Sequence, residues 1–271
     1  MKLSIGGYSF YNTFANGMMD VFGYLETVKH RYNLNAVDMY NRFIADNSKP
    51  LLELADESYI RKVRQALDEK ELQVVNYAAD AASIWDEDPE RRELLYQNAL
   101  KNIRASEILG AKTIRIDTGG AFSNNPNGVF DQMSDEQFEH IVKRYQEYAK
   151  LASNFGAIIG PENHTGPSLN PHFMKKIAEA VDHENYGVLL HVDRWKIDPE
   201  VGDAMVAPYA YHIHFGGNTL AQEEKSIAIA QKITASGFDA YWAVEHNGPG
   251  NQYIEVEWTL AAMKKVLKNV K

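Results

Sequence analysis

Short β-type runs recur eight times along this chain, and amphipathic stretches with apolar residues at helical spacing lie between them. The runs are Leu3–Ser9, Ala36–Tyr40, Gln73–Tyr77, Thr113–Asp117, Ala157–Glu162, Val188–Asp193, Ala210–Phe215 and Ala240–Glu245. Strict alternation of strand and helix, with no strand-only stretch, implies a parallel sheet, because each strand must be re-entered from the same end. Eight repeats within 271 residues favour closure into a barrel over an open doubly wound sheet. The expected fold is therefore α/β: a (β/α)8 TIM barrel, one domain spanning residues 1–271, with no Pro/Gly/Ser linker to mark a second.

The helical stretches carry their own signals. Phe138, Ile141, Val142, Tyr145, Tyr148, Ala149 and Ala152 form one apolar stripe with charged residues opposite. Ser134-Asp-Glu-Gln137 ahead of it reads as a capping box, and Asp88-Pro89 places a cap residue before a proline at the first helical position. Further helices are expected from about Ile60 to Leu67 and from about Ile254 to Leu267. Phe122–Met133 and Gly216–Glu223 read as longer loops following the fourth and seventh strands, where barrels carry function.

The polar residues are unevenly spread. Of nine histidines only His30 precedes residue 140, whereas His164, His191, His212, His214 and His246 lie in or just after strands five to eight. Glu162, Asp193, His214 and Glu245 each stand at the C-terminal end of a different strand, and in a parallel barrel those ends are neighbours around one rim. A lone carboxylate at a strand end is usually a helix cap or a surface charge. Four oxygen and nitrogen donors at equivalent places on consecutive strands instead suit one divalent ion, Mn2+, Mg2+, Co2+ or Zn2+. Strand alternation puts His191 on the face of Asp193, and His212 on the face of His214.

Taken together, Glu162-Asn-His164, Asp193, the His212-Ile-His214 pair and Val244-Glu245 resemble the xylose isomerase-like barrel superfamily of sugar isomerases and epimerases. Ile5-Gly-Gly-Tyr-Ser-Phe10 and Leu109-Gly-Ala-Lys-Thr-Ile-Arg115 extend the resemblance over nearly the whole chain. It implies a metal site at Glu162, Asp193, His214 and Glu245, with Glu162 and Glu245 as acid and base on opposite faces of a small carbohydrate. Proton removal beside a carbonyl would give an enediolate. Return of the proton to the other face inverts the centre, and return to the neighbouring carbon isomerises. A metal-dependent dehydratase of a keto-polyol, inosose dehydratase-like, and a non-catalytic sugar-binding barrel are the alternatives.

The pattern is not followed throughout. Ketose 3-epimerases carry a His three residues after the metal Asp, where this chain has Lys196, and an Arg six after the metal His, where it has Leu220. His214-Phe-Gly-Gly217 replaces the frequent His-x-Lys-Asp. The endonuclease branch needs extra histidines on strands two to four, where this chain offers Tyr40, Tyr77 and Asp117. With a net charge of −9, a phosphate-backbone partner is not expected.

Around the metal ligands, Lys196, Arg115, His164, His212 and Asp38 are candidate contacts to substrate or supports for the ligands, with Arg115 and Asp117 placed to pair. Tyr8, Trp195, Phe10 and Trp242 could give an apolar wall. The glycine turns at Gly216-Gly217 and Gly248-Pro-Gly250 are weak signals of a phosphate site. The chain has no cysteine, which fits a reducing compartment, and no run of the roughly 20 apolar residues that span a bilayer. A cytoplasmic protein with no membrane partner, and with scope for a homo-oligomer, is the expectation.

Overall fold

The computed structural model describes residues 1–49, 51–122 and 124–270; Ser123, inside the loop expected after the fourth strand, lies outside them. Eight strands form the barrel: β1 (Leu3–Ile5), β2 (Ala36–Tyr40), β3 (Gln73–Ala79), β4 (Thr113–Ile116), β5 (Ile158–Gly160), β6 (Val188–His191), β7 (Ala210–Gly216) and β8 (Tyr241–Glu245). Their ladders run in parallel in two sets, β1–β8–β7–β6 and β2–β3–β4–β5. Parallel bridges Gly6↔Asp38 and Glu162↔Leu189 join the two sets and close the cylinder. A separate antiparallel pair, Ala45–Asp46 with Glu53–Leu54, decorates the loop after β2.

Both faces of the strands are covered, which is why they read as near-continuous buried runs. The outer ring comprises α1 (Val21–Glu26), α2 (Glu57–Glu69), α3 (Pro89–Leu109), α4 (Asp135–Ser153), α5 (Pro171–Val181), α6 (Pro199–Val206), α7 (Glu223–Ala235) and α8 (Gln252–Lys268). On α4 the stripe packs inward as its spacing requires, with Ile141, Tyr145, Tyr148, Ala149 and Ala152 buried. The Tyr145 hydroxyl donates to the Ile116 carbonyl at 2.6 Å, tying α4 to β4. Ser134 accepts from the Gln137 N–H, and Asp88 from the Glu90 N–H ahead of α3.

Most strand ends shift by one or two residues from the sequence expectation, β5 among them, which stops at Gly160, two residues before Glu162; three further differences lie at the mouth. β1 stops at Ile5, and Gly7–Phe10 turns over the rim as a short 3-10 helix. β6 stops at His191, two residues before Asp193. The segment after β7, expected to be loop, contains a helical turn at Gly217–Leu220.

One close approach fixes the level of β5 against β6. A Cβ on Gly160 would lie 1.7 Å from the Gly187 carbonyl oxygen, a backbone atom with no rotamer to yield. Gly160→Ala should therefore destabilise the fold by about 3 kcal/mol or more, through forced separation of two strands in a packed core. The midpoint of urea unfolding checks this, and an unchanged midpoint would contradict the packing described.

Candidate active site

The bottom of the mouth is organised around one buried carboxylate. Asp38, on β2 at the closing seam, accepts hydrogen bonds from Asn76 Nδ2 at 2.8 Å and engages His212 Nε2 at 2.8 Å and His214 Nε2 at 2.7 Å. Burial opposes its charge, but His214, His212 and these hydrogen bonds prevail and hold it well below the usual carboxylate range. The contact to Asp38 leaves the other ring nitrogen of His214, Nδ1, facing Glu245 Oε2 at 3.2 Å. That buried Nδ1 has no hydrogen-bond partner.

Glu162, His191, His214 and Glu245 gather above this floor. Each offers one donor atom, and the four atoms lie within 4.8 Å of one another. Three of these residues were anticipated at strand ends. His191 takes the place expected for Asp193, because β6 ends at His191, which pairs with His214 across the ladder. Asp193 already lies in the turn, at φ 62°, and its carboxylate points away to Lys225 Nζ at 2.6 Å and Thr219 Oγ1 at 3.4 Å.

Electrostatics separate the four donors. Burial pushes His191 down to about 4, with the Arg194 charge adding to the effect, so its imidazole is neutral at physiological pH. Glu162 is held well below the usual carboxylate range; burial opposes this, but Arg194, His164, His191 and Arg115 prevail. Burial likewise opposes ionisation of Glu245, and His214 outweighs it to bring the carboxyl to about 2. The carboxylates of Glu245 and Asp38 push His214 up to about 10 against the cost of burial. The donor set thus comprises two ionised carboxylates, one neutral imidazole and one imidazole with its outer nitrogen fixed by a carboxylate. That chemistry fits a divalent cation, whose charge would displace the proton that His214 otherwise holds.

Two arginines touch the same carboxylates. Arg194, from the turn after β6, donates through Nη1 to Glu162 Oε1 at 2.5 Å, and its Nη2 reaches Glu245 Oε1 at 3.5 Å and His191 Nε2 at 3.3 Å. Arg115 is buried on β4; its Nη1 donates to Asp117 Oδ2 at 3.0 Å and Asp80 Oδ1 at 3.2 Å, while its Nε stands 3.5 Å from Glu162 Oε2. His164 Nδ1 contacts the same Asp117 oxygen at 2.9 Å. Arg194, Arg115, Asp80, His164, Glu162 and Glu245 line a cavity of about 490 Å3, with Tyr8, Tyr11, Tyr40 and Phe122 supplying aromatic wall.

Some expected contacts lie elsewhere. Lys196 is exposed and forms no part of the cavity wall. Trp195 is buried beside Gly202, and its indole N–H donates to Asp203 Oδ1 at 2.7 Å, behind the site. Phe10 and Trp242 are core residues. His212 and Asp38 sit beneath the cavity and act on His214 rather than lining it. Arg194, Arg42, Tyr40 and Asp80 were not singled out as site residues from the sequence. The Tyr40 hydroxyl donates to Asp80 Oδ2 at 2.5 Å and Arg42 Nε to the same oxygen at 3.1 Å, so the acid orders both.

Asp203 gives a pH signature. Burial pushes its carboxyl up to about 6, despite bonds from Trp195 and the Asp193 N–H. A carboxyl with a raised folded pKa binds its proton more tightly when folded, so stability falls as pH rises from about 4 to 6. Asp203→Asn should remove that fall and make the variant more stable than wild type above pH 6, by about 1–2 kcal/mol. Urea unfolding of both proteins at pH 4.5 and 7.5 checks the sign.

The sequence matches the model of the family described as xylose isomerase-like TIM barrel over residues 31–266. No curated protein matches it. Among solved structures it resembles D-psicose 3-epimerase with D-tagatose from Clostridium cellulolyticum H10, with TM-score 0.74 and 14% identity over 100% of each chain. It also resembles an IOLI protein with a binding zinc atom, with TM-score 0.74, 11% identity and coverage of 100% of this chain and 99% of that one. A third is the probable 3-DHS dehydratase AsbF involved in petrobactin synthesis from Bacillus anthracis, with TM-score 0.68 and 15% identity over 100% of both. At such identities the likeness establishes the barrel alone.

Proposed function

Because the chain belongs to the xylose isomerase-like TIM barrel family, we propose that it is a divalent-metal-dependent isomerase or epimerase of a small carbohydrate, moving a proton on a carbon beside a carbonyl. One observation carries the reading: two ionised carboxylates and two imidazoles converge at the base of an open cavity, with one imidazole oriented by a buried acid. Glu162, His191, His214 and Glu245 would hold the ion. When bound, a divalent ion stabilises negative charge that builds on a carbonyl oxygen as the adjacent proton leaves.

The remaining work falls to the chain. Glu162 and Glu245 are ionised across the neutral range and border the cavity, so either can accept a proton from a bound carbon acid. Return by the same carboxylate to the neighbouring carbon isomerises, and delivery by the other to the opposite face inverts. Arg194 lies against both carboxylates and can turn its guanidinium to a substrate oxygen, while Arg115 keeps Glu162 from protonating in its dry surroundings. His164, ordered by Asp117, presents its ring at the cavity edge for a hydroxyl.

Deuterium from solvent should enter the carbon beside the carbonyl when protein loaded with Mn2+, Co2+ or Zn2+ is incubated with a broad panel of ketoses and keto-sugars. Absence of exchange across that panel, with metal demonstrably bound, would sink the reading. Loss of one water from the product mass would assign the same proton abstraction to a dehydratase instead.

A further inference from the structure

The mouth cavity does not end at the metal-binding cluster. A second cavity of about 350 Å3 opens beside it, beneath the loops that follow β2, β3 and β4, and the two share Arg42, Asp80, Phe122 and His164 as common wall. We propose that the substrate carries two units: a keto-sugar bound in the mouth, and an uncharged second unit, a glycosyl ring or an aglycone, bound in the adjoining cavity. The inference rests on the isomerase or epimerase reading and extends it to substrate class.

Three properties of the second cavity support this. It is amphipathic: the buried side chains of Leu52, Trp85 and Leu95 line it together with polar and charged residues. Phe122 stands at the junction with 57% of its surface exposed, an apolar ring open to the face of a sugar. The ring lies edge-on to His164, with centroids 5.1 Å apart, so a ligand crossing the junction meets both.

Charge decides against a phosphate in the second cavity. Its arginines Arg42 and Arg91 are matched by Asp80 and Asp86, Lys49 is a third cation on the lining, and Asp117 is already engaged by Arg115 and His164. Arg42 already pairs with Asp80 at 3.1 Å and Arg91 with Asp86 at 3.0 Å. A phosphate site concentrates unmatched donors; here each arginine is turned to a carboxylate, and the lining presents donors and acceptors together. Hydroxyl groups, which both give and accept hydrogen bonds, match that lining.

Titration calorimetry on the Mn2+-loaded protein, with matched probes, tests the proposal. D-fructose is compared with lactulose and isomaltulose, and 3-keto-D-glucose with 3-ketocellobiose, with D-fructose 6-phosphate as the anionic probe. The second unit should tighten binding about tenfold or more in at least one pair. Ser83→Phe, which fills the second cavity from its wall, and Phe122→Ala, which removes the ring at the junction, should each bring that ratio toward one. Equal affinity within every pair, or a ratio unmoved by both variants, overturns the two-unit substrate while leaving the isomerase reading intact. Tightest binding by the sugar phosphate overturns it as well. If no sugar binds and no ketose exchanges deuterium, the underlying reading has failed first.

Discussion

Glu245→Gln should lower metal-dependent solvent exchange into substrate by about 10^3-fold at saturating metal, the scale expected when a positioned acid–base group is lost. The amide keeps the shape of the side chain but accepts no proton at neutral pH. Glu245 is also the carboxylate that faces His214 Nδ1, at 3.2 Å, so the variant should need more metal to saturate. Measuring exchange across a metal titration separates the two losses, since only the chemical one persists at saturation. Glu162→Gln should behave alike in exchange but cost more stability. Its carboxylate is buried against Arg194, Arg115 and His191, and neutralising it removes one counter-charge from each guanidinium. Full exchange by either variant at saturating metal would remove that residue from the acid–base role.

Much of this geometry was legible in the chain. The eight-fold alternation fixes the barrel, and placing Glu162, His214 and Glu245 at strand ends brings their side chains to one rim. The sixth strand shows where such reasoning stops. His191 and Asp193 share a face only while the strand continues, and periodicity cannot tell which of them is its last residue. The ladder to β7 ends with His191 opposite His214, and the left-handed turn at Asp193 throws the acid outward to Lys225.

The same two-residue shift explains Arg194. Counted from Asp193, the three-residue step seen in ketose 3-epimerases lands on Lys196, which is exposed. Counted from His191 it lands on Arg194, which lines the cavity. A cation just past a strand is ordinarily solvated, so composition gave no reason to prefer Arg194. Asp80 and Arg42 escaped notice, and Tyr40 was read only as a rim residue, for a different reason. Each is an ordinary rim residue by itself, and only the closing of β2 beside β3 sets them around one carboxylate.

Asp38→Asn should damage both the metal site and the fold, although residue 38 would touch neither ion nor substrate. The carboxylate serves three partners, with His212 and His214 sharing Oδ2 and Asn76 donating to Oδ1. An amide has one acceptor oxygen, and its NH2 would oppose either an imidazole N–H or the Asn76 amide. The His214 ring would then lose the contact that keeps Nδ1 free, and metal affinity should fall about 10–100-fold. Stability of the metal-free protein should fall by about 3 kcal/mol, the scale for breaking a buried charged network by removing one partner. The pH dependence identifies the cause. Asp38, depressed when folded, contributes stability present above its unfolded pKa of about 4 and lost on acidification through its folded value. His214, raised to about 10, contributes stability that is complete below its unfolded pKa near 6.5 and lost as pH climbs toward 10. In the metal-free state the gap between wild type and Asp38→Asn should therefore be widest between about pH 4 and 6.5 and narrow steadily above it. Chelator competition and urea unfolding across that range provide the two measurements. A gap independent of pH would mean that the carboxylate acts through packing alone, and unchanged metal affinity would show that His214 needs no orientation from below.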